Sequence, residues 1–464
     1  MPAEAAAQAP RAAGGRLPVL DRRRAGVLLH LSALGPGALG EPARRFVDWI
    51  ASAGFSVWQM LPVGPTGPDG SPYWLSSDSA GNASFLDPRA LPEPRGARWQ
   101  AFLGRSADWL DDWALFAALR AAHGGAPWQG WPAPLRDRDP VALARARAAH
   151  AAAIDAERSA QFAFDVQWQA LRTHAHERGV RLFGDVPIYV APDAFETWAH
   201  REQFRLDGAG SPTLVAGVPP DYFAVDGQLW GNPLYDWARM ARDDFAHWRR
   251  RMRRQFERFD LVRIDHFRGL ESHWAVPAGA ASAREGCWLP TPGAALLEAI
   301  RRDLPDLPVV AEDLGEITPA VEALRRRFAL PGMHVLQFAF DGNGANPHLP
   351  HMHAPDGVAY TGTHDNDTLR GWLAGLDAAT RERAQFYLRA PPEEVPTALH
   401  RAALGSVARL AVLPMQDLLE LGSEARFNTP GTSSGNWSWR MPAWALQPER
   451  AAWFARLNQA YGRH

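Results

Sequence analysis

Three acidic residues stand at or just after the ends of short apolar runs in this sequence. Asp265 follows the run LVRI, Glu312 follows VVA, and Asp365 closes the run VAYTGTHD. A carboxylate at the end of a buried segment is costly unless it is paired or functional. Two carboxyl groups that flank a scissile bond are the minimum apparatus for cleaving a glycoside, because one attacks the anomeric carbon and the other protonates the leaving oxygen. These positions therefore predict glycoside chemistry.

The neighbours of the three carboxyl groups suggest a separate role for each. Asp265 lies two residues after Arg263 on one predicted strand, so both side chains point to the same face. A nearby guanidinium favours the ionised carboxylate that a nucleophile needs. Glu312 is the candidate acid, because neighbouring anions raise its pKa. Asp365, beside His364, could hold sugar hydroxyls and stabilise a positive transition state. Any one of them could be a buried structural carboxylate, but the set of three favours an active site.

Eight β-rich runs are the elements that must position these side chains. Several are almost continuously apolar, which is typical of parallel strands buried on both faces. Helical stretches such as 42–54 and 318–328 separate many of them, so the pattern predicts an α/β fold, a (β/α)8 TIM barrel whose active site lies at the carboxyl ends of the strands. The runs are 25–31, 55–61, 180–190, 259–267, 309–315, 333–340, 358–365 and 409–417.

The spacing of the runs is uneven. About 120 residues separate the second run from the third, and about 70 separate the third from the fourth, too many for simple crossovers. We therefore expect a flexible N-terminal tail over 1–18, rich in Ala, Gly and Pro, and a single catalytic barrel over 19–464. Subdomains are expected to interrupt the barrel at about 66–179 and 192–258.

Tryptophan is unusually frequent, at 20 of 464 residues. Aromatic faces are rigid amphipathic platforms that suit the C–H faces of sugar rings. Most of these residues are expected to pack in the core, among them Trp49, Trp109, Trp113 and Trp168. Trp230, in the segment QLWGNPLYDW with its Gly and Pro, is the better ligand candidate.

Two loops have the composition of lids that could close over a substrate. The segment 216–223 places Asp221, Tyr222 and Phe223 after two prolines, and the Gly-rich segment 427–439 places Asn436 before a tryptophan. Ordinary surface turns would have the same composition, so this feature alone leaves both readings open.

Composition excludes several other chemistries. All 49 basic residues are arginine, so a Schiff-base or pyridoxal-phosphate lysine and a Walker-type phosphate loop are excluded. The single cysteine, Cys287, excludes internal disulfides and cysteine-rich metal sites, and a reducing, cytoplasmic location fits. The net charge of -2 creates no global field for nucleic acid or anionic lipid. No stretch of about 18 apolar residues predicts a membrane span. We expect no cofactor and no metal.

Taken together, eight motifs resemble the amylomaltase, or 4-α-glucanotransferase, family, which is glycoside hydrolase family 77 of the α-amylase-like clan. Each motif is moderately specific alone, and the set in this order is highly specific. The resemblance spans about 26–439. The motifs are GPTG…SPY (64–73), GDVPIYVA (184–191), GVPPDYF (217–223), QLWGNPLYDW (228–237), VRIDHFRG (262–269), AEDLG (311–315), TGTHDNDT (361–368) and FNTPGT…GNW (427–437).

The resemblance implies a 4-α-glucanotransferase that acts on α-1,4-glucans and maltooligosaccharides by a retaining double displacement. Asp265 would be the nucleophile, Glu312 the general acid and base, and Asp365 the transition-state stabiliser. The resemblance also implies a monomer or homodimer that binds neither nucleic acid nor membrane. The implied substrate-binding residues are Tyr73, Asp185, Asp221, Tyr222, Phe223, Trp230, Arg263, His266, His364 and Asn436.

The chain departs from the family pattern before and after Tyr73. Trp74 stands where the family usually has Gln, and the preceding loop reads GPTGPDG where the family commonly has a tyrosine. Donor-side subsites and chain-length preference are expected to differ accordingly.

Four alternatives remain open from the sequence. A hydrolase of the same clan would share the three carboxyl groups and differ in what accepts the intermediate. A metal-dependent barrel enzyme would use His351, His353, His364 and Asp365, although the two histidines of HMH are only two residues apart in a Pro-rich loop. A non-catalytic glucan-binding protein would not need a nucleophile. Nucleic-acid binding would rest on WRRRMRR (248–254), which we interpret instead as a solvated helix face.

Overall fold

The computed structural model describes residues 17–220, 225–432 and 434–464. Within these ranges the chain alternates strands and helices along most of its length. The strands are β1 (Arg24–Leu28), β2 (Val57–Gln59), β3 (Arg181–Val186), β4 (Leu214–Val218), β5 (Gln228–Pro233), β6 (Leu261–Ile264), β7 (Ser272–Pro277), β8 (Cys287–Pro290), β9 (Val309–Ala311), β10 (Gly332–Val335), β11 (Gly357–Tyr360) and β12 (Leu410–Pro414).

The α-helices cover the outside of the strands and fill the long connections. In the described part of the chain they are α1 (Glu41–Ser52), α2 (Gly96–Arg105), α3 (Leu110–Ala122), α4 (Ala133–Arg136), α5 (Pro140–Ala149), α6 (Ala151–Glu177), α7 (Phe195–Ala199), α8 (Trp237–Arg242), α9 (Ala246–Arg258), α10 (Gly293–Asp303), α11 (Pro319–Arg327), α12 (Leu369–Gly375), α13 (Ala378–Leu388), α14 (Val395–Gly405), α15 (Met415–Leu418) and α16 (Pro448–Ala460). None of them is long and apolar enough to cross a membrane.

Eight of the strands form one parallel sheet that is nearly closed into a barrel. Its order is β10-β11-β12-β1-β2-β3-β6-β9, and every hydrogen-bonded pair in it is parallel. The two ends of the sheet meet where the Ala311 N–H donates to the Pro331 carbonyl at 2.8 Å and the Met333 N–H donates to Asp313 Oδ1 at 2.7 Å. Each of these eight strands overlaps one predicted run, with β1, β10 and β11 beginning one residue before theirs, so the predicted barrel is confirmed.

The strands are shorter than the predicted runs, and the difference lies at their carboxyl ends. Strand β6 ends at Ile264 and β9 ends at Ala311, so Asp265 and Glu312 already lie in the turns that follow. All residues of β6 and β9 are buried. The apolar runs therefore identify the strands, and their polar last residues leave the ladder for the mouth of the barrel.

Local signals predicted the barrel helices well. Helix α1 covers most of the predicted stretch 42–54, and α11 covers most of 318–328. The Thr318 hydroxyl accepts a hydrogen bond from the Val321 N–H at 3.4 Å, and Pro319 is the first helical residue. This is the expected N-cap geometry.

Two long connections interrupt the barrel after β2 and β3. The first carries α2–α6 and has an apolar cluster of its own, to which Trp109 and Trp113 belong. The second carries β4 and β5, which join β7 and β8 in an antiparallel sheet of order β5-β4-β7-β8. Strands β7 and β8 belong to the connection after β6, which the sequence did not single out. The division of the chain into a tail, a barrel and two insertions stays a prediction, and most of the predicted tail lies outside the described residues.

The tryptophans assigned to the core are buried. Trp49, Trp109, Trp113 and Trp168 each expose 7% or less of their surface. These indoles therefore serve packing and are not available to a ligand.

One sequence interpretation was wrong: the basic segment 248–254 is not a solvated helix face. Arg251 and Arg254 of α9 are buried. Nε of Arg251 lies 2.7 Å from Asp78 Oδ2, and its terminal NH groups donate to the carbonyls of Pro187 and Ile188 at 2.5 and 3.0 Å. Burial alone would raise the pKa of Asp78, but the Arg251 guanidinium outweighs it and the pKa is lowered. A run of basic residues indicates a solvent-exposed helix face only when no buried carboxylate pairs with it.

We predict that Arg251→Met lowers the free energy of unfolding by about 3 kcal/mol or more, because it leaves the Asp78 carboxylate buried without its partner. The double variant Arg251→Met, Asp78→Asn should recover part of that loss. Denaturant unfolding monitored by tryptophan fluorescence measures both. Arg253→Met, on the exposed side of the same helix, is the matched control and should change stability by less than about 1 kcal/mol. Equal losses at positions 251 and 253 would contradict the assignment.

Candidate active site

The carboxyl ends of barrel strands β3, β6, β9 and β11 bring the predicted residues to one mouth. Asp185 on β3 and Arg263 on β6 are direct register partners. Asp265 and Glu312 follow β6 and β9 immediately, and the Asp365 turn follows β11. The Asp265 N–H donates to the Val186 carbonyl at 2.9 Å, so the backbone itself holds the turn after β6 against β3.

Arg263 is bonded to two carboxylates at once. One NH group donates to Asp185 Oδ2 at 2.7 Å and the other donates to Asp265 Oδ1, also at 2.7 Å. The Tyr73 hydroxyl donates to the same oxygen of Asp185 at 2.6 Å. The Asp185 side chain is fully buried, whereas the Asp265 side chain is 30% exposed. Asp265 therefore faces the mouth of the barrel, with Oδ1 bonded to Arg263 and Oδ2 available to a ligand.

Burial and neighbouring charges both shift the pKa values of Asp185, Arg263 and Tyr73. Burial raises the pKa of Asp185, and the Arg263 guanidinium only partly offsets that rise. Burial alone would lower the pKa of Arg263, but Asp185 and Asp265 outweigh it and the pKa is raised. Burial, reinforced by Asp185, raises the pKa of the Tyr73 hydroxyl. Tyr73 is thus a hydrogen-bond donor, and Arg263 is a fixed positive charge.

Glu312 has the environment of a proton donor. Burial of its carboxyl group and the charge of Asp265 raise its pKa to about 7, against the opposing effect of Arg263. Its two oxygens accept backbone N–H groups from His266 at 2.6 Å and from Leu314 at 3.0 Å. His266 has the left-handed φ of 51°, a conformation in which its N–H reaches the carboxyl group. At neutral pH such a group can both give and take a proton.

Asp365 is the most exposed of the predicted carboxylates, with 44% of its side chain accessible. Its Oδ1 lies 3.3 Å from Nε2 of the buried His364. The same oxygen accepts a hydrogen bond from Asn428 Nδ2 at 2.6 Å, and the Asp365 carbonyl accepts one from Arg426 at 2.6 Å. Neither Asn428 nor Arg426 was predicted. The motif FNTPG contains Asn428, but only the fold brings it to a residue 63 positions earlier.

Trp230 lies on the Glu312 side of this mouth. Its indole meets the His266 ring edge-on, with 4.8 Å between centroids, and it lies 6.2 Å from the Tyr189 ring. Trp230 therefore contacts the residue whose N–H holds Glu312. Its choice over the core tryptophans as a ligand candidate stays a prediction.

Trp437 lies on the opposite side, and the sequence reasoning missed it in favour of its neighbour. Its ring lies 6.0 Å from Tyr73 and 6.1 Å from His364, which are themselves stacked at 5.1 Å and 18°. Asn436 instead accepts the Thr429 N–H at 2.9 Å and donates to Thr432, so its amide is bonded within its own loop. An aromatic residue in a Gly-rich loop was the signal that could have identified Trp437.

Trp74, the departure from the family pattern, packs against the backbone of Gly67 and Gly231. Gly231 adjoins Trp230 on β5, so the changed residue touches the hairpin that carries the ligand candidate. The other predicted loop residues, Asp221, Tyr222 and Phe223, lie outside the described part of the chain.

The histidines of the metal hypothesis are engaged elsewhere. His351 Nδ1 lies 2.9 Å from the Tyr387 hydroxyl, and His353 Nδ1 lies 2.6 Å from the Ser406 hydroxyl. Across 17–220, 225–432 and 434–464, no group of three or more His, Cys, Asp or Glu is arranged to hold a metal ion.

Comparison with known sequences identifies relatives over nearly the whole chain. The profile of the family described as 4-alpha-glucanotransferase matches residues 29–98 and 91–446. The 4-alpha-glucanotransferase of Thermus thermophilus is 46% identical, over 95% of this chain and 99% of the relative. The 4-alpha-glucanotransferase of Synechocystis is 41% identical, over 96% and 99% respectively.

A solved structure agrees with these sequence matches. The amylomaltase from Streptococcus agalactiae, solved in complex with acarbose, superposes with a TM-score of 0.89 at 33% identity. The match covers 95% of this chain and 100% of that one. The two proteins therefore share both the barrel and the long connections that interrupt it.

The charge coupling within the mouth predicts a measurable change in titration. Asp265→Asn removes the anion that helps to raise the pKa of Glu312, so that pKa should fall from about 7 toward the usual range of a carboxyl group. Infrared difference spectra of the protonated carboxyl band, with Glu312→Gln to assign the band, measure the shift. Asp356→Asn, an exposed site away from the mouth, is the control. An unchanged titration in Asp265→Asn would contradict the coupling.

Proposed function

This chain belongs to the 4-alpha-glucanotransferase family, and from that premise we propose which side chains carry the transfer. The reaction moves a segment of an α-1,4-glucan onto the 4-hydroxyl of another glucan or of glucose. Asp265 is the nucleophile, Glu312 the general acid and base, and Asp365 the stabiliser of the transition state. The observation that carries the proposal is the arrangement of Asp265, hydrogen-bonded to Arg263, beside Glu312 with a pKa of about 7.

The first half-reaction forms a covalent glycosyl-enzyme. The free oxygen of Asp265 attacks the anomeric carbon of the donor, and the bond from that carbon to the glycosidic oxygen breaks. Glu312 gives its proton to the departing oxygen, so the leaving chain departs as a neutral alcohol. Positive charge builds up on the sugar ring, and the exposed carboxylate of Asp365 stabilises it.

The second half-reaction reverses these steps with a new partner. Glu312, now ionised, takes the proton from the 4-hydroxyl of an acceptor glucan as that oxygen attacks the anomeric carbon. The bond to Asp265 breaks, and its carboxylate is restored. Two inversions at one carbon retain the α configuration. Water in place of the acceptor would give hydrolysis.

The remaining predicted residues bind the sugar at the cleavage point. Oδ1 of Asp185 is buried and accepts no hydrogen bond from the described residues, a costly state that a sugar hydroxyl would relieve. Arg263, His364 and Tyr73 surround it, so we assign all four to the sugar that is transferred. Trp230 and His266 lie on the side of Glu312, where the leaving chain departs and the acceptor enters.

Three further proposals concern the two predicted lid loops and the chain as a whole. The loop of Asp221, Tyr222 and Phe223 and the loop of Asn436 close over the glucan and exclude water from the intermediate. The enzyme is a monomer or homodimer that acts on α-glucans without nucleic acid or membrane. The exposed single cysteine, Cys287, fits a cytoplasmic location.

A time course with maltotriose tests transfer directly. We expect glucose and longer maltooligosaccharides to appear while the total number of reducing ends stays constant, because each cleavage is matched by a new bond. Chromatography of the products and a reducing-end assay measure the two quantities together. Asp265→Asn should retain less than about a hundredth of the activity. Rising reducing ends with only shorter products would mean hydrolysis, and no reaction with any α-glucan would refute the enzymatic proposal.

The pKa of Glu312 sets the alkaline limb of the pH profile. Because the first step needs protonated Glu312, kcat/KM for maltotriose should be highest below pH 7 on this limb and fall as the pH rises through about 7. With α-maltosyl fluoride as donor the limb should disappear, since fluoride leaves without a proton. Steady-state kinetics with the two donors measure this difference. An identical alkaline limb for both donors would assign it to a group other than Glu312.

A further inference from the structure

Two residues of the loop 426–437 hold Asp365 from two directions. Arg426 donates to the Asp365 carbonyl at 2.6 Å and to the Asn428 carbonyl at 2.8 Å. The Asn428 amide then donates to Asp365 Oδ1 at 2.6 Å. We propose that Asn428 is a positioning residue that orients the Asp365 carboxylate for the transition state. This inference rests on the role proposed above for Asp365.

The type of donor matters because Asp365 must remain negative. A neutral amide holds one carboxylate oxygen through a short, charge-assisted hydrogen bond without cancelling the carboxylate charge. Arg426 donates to the backbone carbonyls of Asp365 and Asn428 and not to the Asp365 carboxylate. Arg263, by contrast, donates directly to the carboxylate of Asp265. The hydrogen bond to the Asp365 carboxylate from this loop therefore comes from a neutral amide.

An anchor is needed because the Asp365 side chain is 44% exposed. An exposed carboxylate with few contacts samples several rotamers, and only one of them points its free oxygen at the ring. Besides the Asn428 amide, His364 Nε2 lies 3.3 Å from the same oxygen of this carboxylate. The half-buried Asn428 therefore fixes Oδ1 and leaves Oδ2 to the substrate.

The same loop also contacts the sugar-binding side of the mouth. The Trp437 N–H donates to the Phe427 carbonyl at 2.8 Å, which places the Trp437 ring against Tyr73 and His364. The loop 426–437 therefore carries both the Trp437 ring and the Asn428 amide that orients Asp365. A disturbance of the loop is expected to reach the chemistry through Asn428.

The variant Asn428→Asp gives this role a pH signature. Two carboxyl groups at hydrogen-bonding distance share one proton over a range of pH. While the proton is present, Asp at this position donates to Asp365 much as the amide does. Once the proton is lost, the two carboxylates repel each other and Asp365 turns away. The ratio of variant to wild-type activity should therefore fall as the pH rises.

The experiment measures kcat and KM for maltotriose from about pH 5 to 9 in wild type, Asn428→Ala and Asn428→Asp. Asn428→Ala should lower kcat about 10- to 100-fold at every pH and change KM less than about threefold, because misplacement acts on the transition state. Asn428→Asp should approach wild-type activity at low pH and fall to the level of Asn428→Ala or below at high pH. Gln459→Glu adds the same charge at an exposed position of helix α16, outside the mouth, and should follow wild type. Thermal melting of each variant checks that the fold is intact.

Several results would overturn the proposal. They are an Asn428→Ala enzyme within about twofold of wild type, an Asn428→Asp profile parallel to wild type, or a raised KM with unchanged kcat. A wild-type enzyme without activity on any α-glucan would instead refute the proposed function itself.

Discussion

A single buried arginine organises the mouth of this barrel. Arg263 lies between Asp185 and Asp265, 2.7 Å from an oxygen of each, and its side chain is only 6% exposed. A guanidinium at such a site would be strongly destabilising without both partners. Asp185 is the register partner of Arg263 on β3, and Asp265 lies in the turn directly after β6, so the pairing of β3 with β6 brings the three side chains together. The arrangement at the mouth thus follows from the ladder between these two strands.

The same arginine and burial give the carboxyl groups of the mouth different environments. Asp265 receives a direct hydrogen bond from the guanidinium, whereas burial and the charge of Asp265 raise the pKa of Glu312 to about 7. In the proposed mechanism these environments suit the two carboxyl groups to opposite tasks, one as the nucleophile and the other as the acid and base. The difference comes from position relative to Arg263 and from burial, because the two side chains share the same functional group.

Much of the fold and the chemical centre could be predicted because both depend on local patterns. The eight strands are short apolar runs, and Asp265 and Glu312 follow the strands directly, so reading the ends of the runs located them. Predictions failed where a contact joins distant parts of the chain. Arg251 pairs with Asp78, and Asn428 bonds to Asp365. No spacing in a linear sequence reveals such partners. Strands β7 and β8 were missed for a related reason, since β7 pairs with β4 and with β8 and neither strand pairs with the barrel.

Aromatic side chains approach the mouth from strand β5 and from the loop 426–437, and each lies near a different carboxyl group. Trp230 touches His266, whose N–H is bonded to Glu312, while Trp437 lies beside His364, the neighbour of Asp365. In the proposed reaction, a glucan chain stacked on one ring would lie one residue from the acid and base, and a chain on the other ring would lie one residue from the stabiliser. The second half-reaction of a transfer needs an acceptor sugar where the leaving chain departed, whereas hydrolysis needs only water there. Aromatic rings on both sides of the mouth therefore favour an acceptor sugar over water.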